Sequence, residues 1–142
     1  MTLGDVMTRS VVTVHMDDPL DRIRSIFQES RFHHLLVTDN GKLVGVISDR
    51  DLLKNVSPFI GNDMMERRQD TNTLQRRAHQ IMTRYPVTAT IDTPVEDGVR
   101  LLMQQRVSCL PITNSTQHIE GIVSWRDLLR GLVDVTDRAD AA

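Results

Sequence analysis

The 142-residue chain is poor in the features that most simply announce a function. It has a single cysteine, Cys109, which excludes an internal disulfide and suits a reducing, cytoplasmic setting. Aromatic residues make up only 4%, so the core has to be built from Val, Leu, Ile and Met. No apolar run approaches the ~20 residues that a membrane helix requires. The N-terminus, Met1-Thr2-Leu3-Gly4-Asp5, has neither the basic start nor the apolar stretch of a signal peptide. Excess charge is missing too: 17 Lys and Arg against 19 Asp and Glu leave a formal net charge of −2. A nucleic-acid binder, or a protein drawn to anionic membranes, would carry a strong positive surplus. Glycine-rich phosphate loops are absent, as are Cys-x-x-Cys and His-Glu-x-x-His spacings. What remains is an ordinary globular composition, 39% hydrophobic and 25% charged, long enough for one domain or two very small ones.

The strongest positive signal is an internal repeat. Val6-Met-Thr-Arg-Ser-Val-Val-Thr returns as Ile81-Met-Thr-Arg-Tyr-Pro-Val-Thr, offset by 75 residues. The same offset relates Asp17 to Asp92, Pro19 to Pro94, Arg31 to Arg106, Leu35 to Leu110 and Thr38 to Thr113. One inserted residue later, Gly45-Val-Ile-Ser48-Asp-Arg-Asp51-Leu-Leu matches Gly121-Ile-Val-Ser124-Trp-Arg-Asp127-Leu-Leu. A unit of about 50 residues buries too little surface to be stable alone, so two copies packed together are expected, with related clefts at their junction.

Local patterning gives each copy the order β-α-β-β-α. Val11–Val14 and Val87–Ile91 read as short strands. Asp18-Pro19 reads as a helix cap followed by Pro at the first helical position, and Thr93-Pro94-Val95-Glu96 as a capping box. Leu20, Ile23 and Phe27, and then Val95, Val99 and Leu102, line one face of helices ending near Arg31 and Arg106. His34–Thr38 and Cys109–Thr113 suit buried strands, and Asn40-Gly41 is a hairpin turn signal leading into Leu43–Ile47. In the second copy Asn114-Ser-Thr-Gln replaces that turn, and Ile119–Val123 returns. A short helix starting at Ser48 or Ser124 closes each copy. The fold class is therefore α/β (α+β), two such repeats packed with pseudo-two-fold symmetry. The expected organisation is repeat 1 over 1–60, a linker over 61–77, repeat 2 over 78–134 and a frayed tail over 135–142. Breakers Ser57-Pro58 and Gly61 open the linker. A helical piece is expected around Leu74–Met82, with Arg67, Arg68, Arg76 and Arg77 on a solvated face.

The chemistry concentrates where a strand runs into a closing helix. In Gly45-x-x-Ser48-x-x-Asp51 and Gly121-x-x-Ser124-x-x-Asp127 a glycine-assisted turn leads to a helix N-terminus, which favours anions. Ser can bond a phosphate oxygen or cap the helix. The Asp can accept both hydroxyls of a ribose, as acidic residues do in dinucleotide sites. Arg50 and Arg126 can add charge-assisted bonds to phosphate. The same Ser-x-x-Asp pattern is also plain helix capping, and the two roles are compatible.

Repeated Met-Thr-Arg starts, the β-α-β-β-α order and the Gly-x-x-Ser-x-x-Asp endings together resemble a tandem pair of CBS domains, named for cystathionine β-synthase and often called a Bateman module. The resemblance covers about residues 1–60 and 78–134. It implies a regulatory module that binds AMP, ADP, ATP or S-adenosylmethionine in the clefts between repeats, with no cofactor and no catalytic residue. It further implies that Asp51 and Asp127 hold ribose hydroxyls, with Ser48 and Ser124 by the phosphates. Backbone groups of Thr13-Val14 and Thr88-Ala89 would meet the adenine edge. His34-Leu35-Leu36 and Cys109-Leu110-Pro111 would line the base pockets, with Arg50 and Arg126 as further contacts. Stand-alone members of the family often form homodimers, here over Leu52, Leu53, Leu128, Leu129 and Leu132, and signal to a separate effector protein.

This sequence departs from the family pattern at three points. Leu36 stands where Pro is common, while Pro111 keeps it; Ser replaces the commoner Thr at 48 and 124; and Trp125 replaces the small or polar residue represented by Asp49. Packing is the preferred role for Trp125, and the two clefts are expected to be unequal.

Two other readings stay open. A ligand-independent homodimeric scaffold would use Ser-x-x-Asp only as a cap. A metal-binding stress protein would gather His33, His34, His79, His118 and Cys109, although Zn normally takes three or four ligands at recognisable spacings. The bland reading of that set is a buried thiol with partly exposed histidines.

Overall fold

The structure is a computed structural model and describes residues 1–141. Two compact units divide the chain: a continuous one over Val12–Tyr85, and a discontinuous one joining Met1–Val11 to the chain from Pro86 onward. Packing units and sequence repeats therefore differ at their ends. The Met7-Thr8 segment packs with most of the second copy, and the equivalent Met82-Thr83 segment packs with the first.

The continuous unit is a four-stranded sheet in the order β1 (Thr13–His15), β2 (His34–Asp39), β3 (Lys42–Ser48), β4 (Thr83–Arg84). The first pair is parallel and the others antiparallel. The Asn40-Gly41 turn forms as its sequence requires, with both residues at positive φ, 50° and 77°. Helix α2 (Leu20–Glu29) buries Leu20 and Ile23 against Val14, Leu35, Val37 and Ile47. Helix α3 (Asp49–Asn55) adds Leu52 to that core, and α5 (Ala78–Ile81) adds Ala78. Between them lies α4 (Arg68–Asn72), followed by a single 3₁₀ turn over Thr73–Gln75. The helical segment expected around Leu74–Met82 is thus broken into shorter pieces.

The discontinuous unit repeats the plan with thinner edges. Here α1 (Leu3–Val6) and α6 (Val95–Gln105) pack with α7 (Trp125–Ala141) and a hairpin of β5 (Cys109–Thr113) and β6 (Ile119–Ser124). Single bridges, Ala89 to Ile112 and Thr8 to Ile122, stand where the other unit has full edge strands. The strand expected over Val87–Ile91 is reduced to the Ala89 bridge, and Pro111 accounts for one of the lost bonds. In the continuous unit the Leu36 N–H donates to the Val12 carbonyl at 3.3 Å. Proline at the matching position has no N–H, so that bond is lost, while those from Ala89 N to Pro111 O and from Thr113 N to Ala89 O remain. The core is Leu3, Leu102, Leu110, Ile112, Val123 and Leu128, aliphatic as the shortage of aromatics demands.

Three local expectations need correction. Asp18 and Thr93 do not cap α2 and α6 with their side chains; Asp18 Oδ2 accepts from His15 N at 2.8 Å and Thr93 Oγ1 from Thr90 N at 3.1 Å. Each closes the turn before its helix. The closing helix of the second copy is not short, since α7 runs 17 residues to Ala141. After Gly131 it meets no helix breaker, and Thr136 Oγ1 bonds back to Leu132 O at 3.0 Å. The expected frayed tail is helical to that point, and Ala142 lies outside the described residues. Leu52 and Leu128 are core residues rather than exposed apolar ones, whereas Leu53, Leu129 and Leu132 are exposed.

Candidate functional site

In both units the last strand of the hairpin ends on serine and the closing helix starts at the next residue. Ser48 Oγ accepts from Asp51 N at 3.1 Å, and Asp51 Oδ2 accepts from Ser48 N at 2.8 Å. Ser124 and Asp127 repeat the exchange at 3.5 Å and 2.9 Å, with Ser124 Oγ also donating to Asp127 Oδ2 at 3.1 Å. These are reciprocal capping boxes, which satisfy helix N–H groups otherwise left without a partner.

The two carboxylates differ in what meets their second oxygen. Asp127 Oδ1 accepts from Thr8 Oγ1 at 2.9 Å and pairs with Arg130 at 3.6 Å, and Asp127 is only 5% exposed. Asp51 is half-buried, and among the described residues its Oδ1 accepts no hydrogen bond.

Gly45 and Gly121 do not make the turn that the sequence suggests. Both are buried inside strands, at positions where the opposite Met-Thr segment crosses closely. A Cβ on Gly121 would lie 2.7 Å from Met7 Sδ and 2.8 Å from the Thr8 carbonyl; one on Gly45 would collide with the Met82 side chain. The motif glycine is a place for another strand to dock, not a phosphate cradle.

The remaining candidates gather at the same end of each sheet. In the continuous unit His34 pairs across the sheet with Ser48, and Thr13 with Leu36. Thr13 is exposed, Val14 buried and His34 half-buried, while Leu35 and Leu36 are fully buried. In the discontinuous unit Cys109 pairs with Ser124 and Leu110 with Val123, and Ala89 bonds Pro111. Thr88 is exposed; Ala89, Cys109, Leu110 and Pro111 are buried. Arg50 and Arg126 both lie exposed in the first turn of their helices. Trp125 opens α7 and is partly exposed.

Burial pushes the Cys109 thiol up to about 12, leaving almost no free thiolate at neutral pH. Burial also lowers the His34 imidazole below its usual range, against the pull of Asp49 and Asp51. His33 Nδ1 lies 2.9 Å from Asp49 Oδ2, and that bond holds the Asp49 carboxyl below the usual carboxylate range. His118 contacts Thr116 at 2.7 Å, and His79 lies 4.0 Å from Asp17. Among the described residues no three His, Cys, Asp or Glu side chains come together as a metal site.

Of the four linker arginines, Arg67 and Arg68 are exposed, whereas Arg76 and Arg77 are engaged. Arg76 donates to Asn55 Oδ1 at 2.6 Å and Arg77 to the Asp17 carbonyl at 2.8 Å. The organising residue of this region, missed by sequence reasoning, is Asp70. It is buried and accepts from Ser57 Oγ and Arg67 N, each at 2.7 Å. Its only sequence signal was a serine-proline breaker 13 residues earlier, too weak to pair them.

Residues 3–58 and 78–134 match the CBS domain family, one match in each repeat. The chain belongs to the CBS-domain family. A CBS domain-containing protein of Dictyostelium discoideum is 31% identical over 134 residues, 93% of this chain and 91% of that protein. Among solved structures, CBSX2 in complex with AMP is 26% identical, with a TM-score of 0.78, covering 95% of this chain and 98% of the other. The CBS domain pair of protein MJ0100, solved with 5′-methylthioadenosine and S-adenosyl-L-methionine, is 24% identical with a TM-score of 0.75 over 93% and 99%, and it shares the fold. As a CBS pair this chain is a mixed α+β protein, and among its described residues no helix is long and apolar enough to cross a membrane.

Proposed function

We propose that this CBS pair is a regulatory module that binds an adenosine nucleotide, AMP first among AMP, ADP, ATP and S-adenosylmethionine, and reports it to a separate effector protein. The reading is carried by the Ser-x-x-Asp turns. They place a hydroxyl and a carboxylate at a strand-to-helix junction, in a chain that shares fold and 26% identity with a protein solved with AMP. The ribose hydroxyls are held by a carboxylate of this turn and the phosphate lies by the serine. Backbone groups at Thr13-Val14 or Thr88-Ala89 meet the adenine edge. Either His34, Leu35 and Leu36 or Cys109, Leu110 and Pro111 wall the base, and Arg50 or Arg126 supplements the phosphate contact. Ligand binding shifts the protein only to the extent that its two states bind the ligand differently.

The module is not itself an enzyme in this reading, which the protonated, buried Cys109 supports. It acts in the cytoplasm as a homodimer that covers Leu53, Leu129 and Leu132, all exposed in the single chain.

Calorimetry of the purified, ligand-stripped protein against the four ligands tests the proposal. Micromolar binding of one of them is expected. No binding across the panel by a folded chain overturns it. The scaffold is the second reading, favoured by one observation: both Ser-x-x-Asp pairs form a reciprocal capping box from their own groups.

A further inference from the structure

The two Ser-x-x-Asp turns have the same backbone setting. Thr8 bridges Ile122 and Thr83 bridges Val46, equivalent positions one repeat apart. Yet only one threonine reaches the carboxylate beside it. Thr8 Oγ1 donates to Asp127 Oδ1 at 2.9 Å, whereas the Thr83 side chain is exposed and Asp51 Oδ1 accepts nothing among the described residues. The neighbouring cations differ in the same sense. Arg130 pairs with Asp127, and the equivalent Lys54 is exposed, with no ion pair to Asp51.

From this asymmetry we infer that Thr8 closes the Asp127 carboxylate, so that the adenosine ligand is taken through Asp51 alone. The inference rests on the nucleotide reading and makes it specific. A ribose hydroxyl can bond Asp51 Oδ1 without displacing a protein group. At Asp127 the ligand must first break a charge-assisted hydrogen bond from Thr8 and expose a buried carboxylate, which lowers affinity by roughly 10- to 100-fold. Thr8 thus acts as an internal substitute for the ligand hydroxyl, supplied by the segment that docks on Gly121.

Titration of AMP into the full chain, followed by calorimetry, tests this with three variants. Asp51→Asn and Asp127→Asn each keep an oxygen able to accept the serine N–H, so the helix cap survives; thermal unfolding confirms that each variant folds. Wild type is expected to bind one AMP per chain. Asp51→Asn should weaken that binding about tenfold or more, and Asp127→Asn should leave it within about threefold. Thr8→Val should gain a second site. Two equal sites in wild type, loss of binding in Asp127→Asn but not in Asp51→Asn, or a single site in Thr8→Val would each overturn the inference while leaving the nucleotide reading intact. No AMP binding by wild type, with none of the other three ligands bound either, overturns that reading and the inference with it.

Discussion

Met7 crosses Gly121 so closely that a methyl group on that glycine would lie 2.7 Å from the methionine sulfur. Met82 and Gly45 stand in the same relation in the other unit. The two most recognisable pieces of each repeat, its Met-Thr start and its motif glycine, therefore meet across repeats rather than within one.

This contact predicts an order of damage. Gly121→Ala should destabilise by about 1–3 kcal/mol, the usual range for overpacking a filled space. Gly45→Ala should cost less, because its two closest neighbours, Met82 Sδ and Cγ, belong to a flexible side chain that can swing aside. A Cβ on Gly121 would also lie 2.8 Å from the Thr8 backbone carbonyl, which cannot move away in that manner. Urea unfolding of both variants measures the difference, and an equal or reversed ranking contradicts the argument.

Asp70 should prove to be the anchor of the linker. Asp70→Ala leaves the Ser57 hydroxyl and the Arg67 N–H without their partner, a loss of about 1–3 kcal/mol for buried groups. Trypsin should then cut faster at Arg67 and Arg68. Unchanged digestion and an unchanged melting temperature would show that the linker is held by something else.

Acid should weaken the fold first through His34. Burial holds its folded pKa below the ordinary value of 6.5, with His33 acting in the same direction and Asp49 and Asp51 opposing. The unfolded chain therefore binds this proton more readily. The stability that His34 permits is complete above about pH 6.5 and declines as the pH falls toward the folded value. Asp49 acts lower: its carboxyl is depressed by the His33 bond, so its contribution is present above the ordinary carboxylate value of 3.8 and is lost as the pH drops through the folded one. Melting temperatures from pH 7.5 to 5.5 should fall in wild type and stay flatter in His34→Gln. Identical slopes would remove His34 as the cause.

Cys109 should be silent in the native protein. With its pKa raised from 9.0 to about 12, the thiolate fraction at neutral pH drops roughly a thousandfold, and burial blocks access as well. Ellman's reagent should label it only after denaturant is added. Fast labelling of the folded chain would contradict the buried assignment.

Much of this architecture was legible in the sequence because it depends on local pattern. The repeat, the order of strands and helices, the Asn40-Gly41 turn and the Ser-x-x-Asp caps all follow from spacing over a few residues. A resemblance between those motifs and a known family brought the expected ligand class. Where local rules misled, a partner distant in sequence had intervened. Val87–Ile91 has strand composition but faces Pro111, which lacks the N–H that pairing needs. Gly45 and Gly121 look like turn residues but are strand positions kept clear for methionines.

The sequence by itself determined the family, the duplicated plan and the chemical kinds of residue at each turn. Only the tertiary structure decided that the Met-Thr segments pack with the opposite repeat and that Thr8 engages Asp127, while Asp51 Oδ1 accepts no hydrogen bond among the described residues. The reason is physical: Thr8 and Asp127 are 119 residues apart, and no local periodicity records which hydroxyl reaches which carboxylate. Identical motifs specify identical caps, but what the second carboxylate oxygen meets is fixed by packing between segments that the sequence lists far apart.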